Sequence, residues 1–111
     1  MATREVVLSD TLLPGQTVYL DTPCPLTGKI TQVVREWPDG CNFIVDLAVG
    51  HSDIWVLPHL TETYVALNDA TPVINVDEPV KKNEAMWMRG RNRDAGFPHA
   101  LVVTFVVEGE E

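Results

Sequence analysis

The stretch His99-Ala-Leu-Val-Val-Thr-Phe-Val-Val107 decides the fold. It is rich in β-branched and aromatic residues, which fit a pleated surface better than a helix. Alternate side chains of a strand point to opposite faces, so Leu101, Val103, Phe105 and Val107 share one side and Val102, Thr104 and Val106 the other. Neither side is polar. That composition predicts a strand covered twice, by the domain's own core on one face and by a further layer or a neighbouring subunit on the other. Just upstream, Ala85-Met86-Trp87-Met88 running into Arg89, Arg91 and Asn92 predicts a second long strand, with a polar loop joining the two into a final hairpin.

Working outward, the same alternation recurs. Residues 4–8 form a short apolar run expected at a sheet edge, ended by the Leu13-Pro14-Gly15 turn. Val18 and Leu20 point inward from the next run. Residues 22–28 hold two prolines, which remove backbone donors and exclude regular structure. From Lys29 the pattern places Ile30, Gln32 and Val34 on one face, with Thr31, Val33 and Arg35 on the other. Trp37-Pro38-Asp39-Gly40 suits a tight turn and predicts a hairpin to residues 41–49, where Phe43, Val45, Leu47 and Val49 share a side and Asp46 faces out. Shorter strands follow at residues 54–57 and 73–76, and residues 60–67 favour a strand, with one turn of helix around Glu62 as the alternative. About eight short strands at intervals of roughly 8 to 12 residues, with Gly, Pro or Asp turns between them, indicate an all-β, antiparallel β-sandwich of the jelly-roll type. Residues 1–111 are expected to form a single domain.

Composition narrows the function. Eight Lys and Arg against 16 Asp and Glu give a net charge of −8, which opposes general binding to nucleic acid or an anionic membrane. The start of the chain lacks the basic and apolar segments of an export signal, and no apolar run is long enough to span a bilayer. Cys24 and Cys41 are expected as free, partly buried thiols, with a single bridge as the alternative if the Cys24 loop lies beside the start of the Cys41 strand. Five of the eight basic residues, Lys81, Lys82, Arg89, Arg91 and Arg93, fall close together in sequence. They are either a solvated set or a patch that registers an acidic partner.

No catalytic, cofactor or metal motif emerges. His51, Asp53 and His59 do not match zinc-ligand spacing. The Asn92 to His99 loop has the Asn and Pro-His of a cupredoxin copper loop, but nothing after His99 can ligate copper. His99 is expected at a strand start, its ring meeting a carboxylate or a carbonyl. Trp37, Trp55 and Trp87, with Tyr19 and Tyr64, supply the rings of a sugar-stacking platform, so a carbohydrate-binding module or tail-tip adhesin is the alternative function.

The opening Leu13-Pro14-Gly15-Gln16-Thr-Val-Tyr-Leu20 and the ending Met86-Trp87-Met88 through Pro98-His99-Ala-Leu-Val-Val-Thr-Phe-Val-Val107, in a compact acidic chain, resemble the small β-sandwich virion proteins of tailed bacteriophages. The resemblance implies a non-enzymatic head decoration or cement protein on the capsid surface. Such a protein forms a homo-oligomer, commonly a trimer, that clamps the major capsid protein. The expected self-association or partner interface comprises Trp87, Arg89, Arg91, Arg93, Val102, Thr104 and Val106.

Overall fold

The computed structural model describes residues 1–111 as nine strands without a helix, and so without a helix long and apolar enough to cross a membrane. The strands are β1 (Ala2–Leu12), β2 (Thr17–Pro23), β3 (Thr27–Glu36), β4 (Val45–His51), β5 (Ile54–Leu57), β6 (Val65–Ala66), β7 (Val73–Val80), β8 (Ala85–Asn92) and β9 (His99–Glu110). They form two antiparallel sheets, β1-β9-β3-β7 and β2-β8-β4-β5, with the two-residue β6 also pairing with β4. Apart from β6, the pairs β1:β9, β2:β8, β3:β7 and β4:β5 are those of one long ribbon wound so that its arms alternate between the sheets. That is jelly-roll order, as the strand pattern predicts.

The inner faces meet in a core of nineteen buried residues. Leu101, Val103, Phe105 and Val107 of β9 are fully buried there, with Leu12, Ile30 and Val33 from the same sheet and Val45, Leu47, Val49, Met86 and Met88 from the other. Both thiols are buried and unbonded, and burial pushes the Cys24 and Cys41 pKa values up.

Both expected hairpins are absent. β3 and β4 lie in opposite sheets, as do β8 and β9, so residues 37–44 and 93–98 cross between layers. The alternation in β3 also reverses. The ladder shifts between Ile30 and Gln32, and the extra residue turns Val33 and Arg35 inward, leaving Gln32 and Val34 on the outer face. Phe43 lies outside any strand and is 61% exposed, not in line with Val45. The run at residues 60–67 supplies only β6.

Within the chain, the strand covered on both faces is β4 and not β9. All seven β4 residues are buried. The outer side of β9 has no second layer: Val102, Thr104 and Val106 are partly exposed, and the neighbouring Val7 and Val73 are 55% and 54% exposed.

Candidate binding surfaces

The outer face of the β2-β8-β4-β5 sheet is built in rows. Register places Thr17, Arg91 and Asp46 side by side, then Tyr19, Arg89 and Ala48, then Asp21, Trp87 and Gly50. Trp55 pairs with Gly50 from the far side. With no Cβ at Gly50, the Trp87 indole can lie over the strand; an added methyl would sit 2.5 Å from Trp87 Cζ2 and 2.2 Å from the Ile54 carbonyl oxygen. Trp87 Nε1 donates to the Ser52 carbonyl at 2.8 Å, and Trp55 meets Trp87 edge-on at 5.0 Å between ring centroids. This aromatic layer covers Ala48 and makes β4 a two-sided core strand.

Asp46 faces outward as expected but is 5% exposed. Arg91 Nε donates to its Oδ2 at 3.1 Å, Arg93 Nε to the same oxygen at 2.9 Å, and Arg93 Nη2 to Oδ1 at 3.1 Å. Two of the predicted interface arginines are therefore occupied within the chain. Arg89 is placed differently: its guanidinium carbon lies 5.1 to 5.3 Å from the ring centres of Tyr19, Trp55 and Trp87. The predicted interface residues also fall on two opposite surfaces, with Trp87, Arg89, Arg91 and Arg93 outside one sheet and Val102, Thr104 and Val106 outside the other, so they cannot form one patch. None of the three tryptophans is a surface platform, since Trp37, Trp55 and Trp87 are 1%, 6% and 1% exposed.

A further surface lies at the end of the sandwich where residues 13–16, 37–44 and 93–98 join strands. Buried Asn92 stitches this end together. Its Nδ2 donates to the carbonyls of Leu12, Leu13 and Phe97 at 3.0, 3.3 and 2.9 Å, and its Oδ1 accepts from Asp94 N at 2.9 Å. Arg93 Nη2 donates to the Phe43 carbonyl at 3.1 Å, and Arg93 N to that of Ile44 at 2.9 Å. Asp94 completes the loop by accepting from Gly96 N and Phe97 N through Oδ1 and pairing with His99 Nε2 at 2.9 Å through Oδ2. The backbone bonds and His99 hold the Asp94 carboxyl below its usual pKa, and of the two partners expected for His99, a carboxylate or a carbonyl, it meets the carboxylate. The stitched loops project Leu13, Phe43 and Phe97, which are 59%, 61% and 69% exposed. Asn42 and Phe43 both adopt left-handed backbone, with φ of 49° and 62°, a conformation costly for a bulky residue and persistent only where its surroundings hold it. Sequence reading missed this surface, although the Asn92-x-Asp94-x-Gly96 spacing is a loop-forming signal.

The opposite end holds the buried histidine. His51 Nδ1 lies 2.5 Å from Glu84 Oε2 and Nε2 lies 3.0 Å from Glu78 Oε2, while Ser52 Oγ donates to Glu84 Oε2 at 2.6 Å. Burial opposes the imidazolium, but the two carboxylates outweigh it and hold the His51 pKa above its ordinary value. Burial also disfavours the Glu84 anion, yet bonds from Ser52, His51 and Lys81 N draw its pKa down. Asp53 and His59, grouped with His51 by sequence, are exposed and take no part. Because Ser52 bonds to Glu84 and not to the histidine, the cluster is not a nucleophile-activating triad.

No protein-family model matches the chain, and no curated protein matches it. Among solved structures, a crystal structure of FLHE aligns with 94% of this chain and 97% of its own at 13% identity and a TM-score of 0.42. A likeness that distant carries no functional argument.

Proposed function

We propose that the chain is a structural virion protein of the capsid-decoration type, a jelly-roll plug that docks on the assembled shell and holds neighbouring copies of the major capsid protein. The observation that carries this reading is the stitched loop end. Leu13, Phe43 and Phe97 are large apolar side chains held in water on a platform that Asn92 and Arg93 keep rigid. Exposed apolar groups presented on pre-ordered loops suit protein docking, because little conformational entropy remains to be lost on binding. A protein that binds only the assembled lattice stabilises that lattice by mass action, with no chemistry required. The half-covered valine face around Thr104 is the corresponding surface for self-association into a trimer.

The test is re-addition to shells stripped of the protein. Wild type should rebind in stoichiometric amounts and raise the shell's melting temperature, whereas Phe43→Ser/Phe97→Ser, folded by circular dichroism, should not. Native mass spectrometry of the free protein should show a trimer. Equal rebinding of the double variant removes the loop end from the function, and absence of the chain from purified particles removes the reading altogether.

A further inference from the structure

The outer face of the β2-β8-β4-β5 sheet contains a groove of about 410 Å³ lined by Thr17, Val18, Tyr19, Tyr64 and Arg89. Three observations define its chemistry. First, the side walls are aromatic and fixed: Tyr64 stands edge-on to Trp55 at 5.7 Å with the Arg91 guanidinium 4.1 Å from its ring centre, and Tyr19 leans on Trp87 at 6.3 Å. Second, Tyr19 is 50% exposed, so part of its ring is open to an incoming group.

The third concerns Arg89. Arg91 on the same strand and Arg93 just beyond its end both turn their edges to Asp46, but Arg89 takes part in none of the chain's salt bridges, and its buried Nε has no hydrogen-bond partner. Aromatic rings satisfy the faces of a guanidinium and leave its N–H edge unpaired. In a chain with twice as many acids as bases, no carboxylate lines this groove. Asp21 lies one row along the sheet, opposite Trp87 and not Arg89, and is engaged by the Tyr19 hydroxyl, whose pKa is raised by burial and by Asp21.

We propose that this groove binds a carboxylate carried on a sugar ring, an acidic monosaccharide or the acidic residue of a glycan. The carboxylate takes the Nη1/Nη2 edge of Arg89, Nε being buried, and two parallel N–H···O bonds fit that geometry. The apolar C–H face of the ring lies on the tyrosine walls, which a bare Asp or Glu side chain has no ring to occupy. The volume falls within the range of small-ligand sites. This inference uses none of Leu13, Phe43 and Phe97, the residues that carry the docking role, although Thr17 of the groove directly follows the 13–16 loop.

The experiment is an NMR titration of the whole chain with glucuronate, glucose, acetate and a glutamate-rich peptide. Glucuronate should shift the Arg89, Tyr19 and Tyr64 signals saturably and bind about tenfold or more tightly than glucose or acetate, the factor expected of one added bidentate contact. Arg89→Met, which keeps the stem over the tryptophans, should abolish the preference for glucuronate over glucose. If that variant loses its fold, Tyr19→Ala serves instead: its side chain is half exposed, and its loss should weaken glucuronate about fivefold or more. Equal binding of glucose, equal binding of acetate, tighter binding of the peptide, or no saturable shift with glucuronate would each overturn the proposal.

Discussion

Replacing His51 by alanine tests how the lower end of the sandwich is held. The His51 side chain is 3% exposed and lies between carboxylates whose own side chains are 17% and 25% exposed, Glu84 and Glu78. Hydrogen bonds to charged groups contribute roughly 1.5 to 3 kcal/mol each, and His51→Ala removes two while leaving two anions beside an unfilled space. Because water can reach both carboxylates, part of the loss is recovered, and about 3 kcal/mol of destabilisation is expected near pH 6. The pH dependence follows from the direction of the shifts. The folded-state pKa of His51 is raised, so its contribution is complete below its unfolded value of about 6.5 and is lost as pH rises through the folded value. The pKa of Glu84 is lowered, so its contribution is complete above about 4.5 and is lost as pH falls through the folded value. The gap between wild type and His51→Ala should therefore be widest between about pH 4.5 and 6.5 and narrow on both sides. Urea denaturation followed by tryptophan fluorescence at pH 4, 6 and 9 measures it. A cost below about 1 kcal/mol at pH 6, or a gap that widens towards pH 9, would refute a charged His51 clamped by two glutamates.

Gly50→Ala should cost about 3 kcal/mol in the same assay, because the new methyl meets the Ile54 carbonyl and the Trp87 indole well inside contact distance. Asp46→Ala should cost about 2 kcal/mol and Arg93→Ala about half that, since Arg91 still holds the carboxylate in the second variant and both arginines are about half exposed. Equal losses in thermal melts would show that Arg91 does not share the load. Arg35 is 6% exposed, has an unpartnered Nε beside the Trp37 ring, and has its pKa lowered by burial. Arg35→Met should thus leave stability unchanged or raise it by about 1 kcal/mol, and a marked loss would reveal a partner formed in solution.

Strand positions were largely legible because alternation is a local property, and the inward set of β9 follows directly from it. Sheet membership was not. Trp37-Pro38-Asp39-Gly40 marks where the chain turns, but a turn followed by further loop can return into either layer, and here it enters the opposite one. The reversal within β3 was hidden because one extra residue changes every later facing without altering composition. Asp46 was correctly placed outward, yet its burial depends on Arg91, forty-five residues away, arriving beside it in the β4:β8 register. The His51 cluster joins residues 27 and 33 positions apart and leaves no periodic trace. The tryptophans look like a surface platform in sequence because indoles serve cores and binding faces alike; only Gly50 beneath Trp87 separates the two uses.

The wound ribbon has a consequence for how the chain reaches this state. Its outermost rung joins Ala2 to Gly109, and the next pair of arms joins Thr17 to Arg91, so β1 and β2 find their mates only after β8 and β9 have been made. Loop-closure entropy must be met before those distant pairings reward it, which makes maturation slow relative to helical chains of similar size. During that wait, the Val6-Val7-Leu8 segment is unpaired, and rapid dilution from denaturant at high protein concentration should favour clumping over recovery.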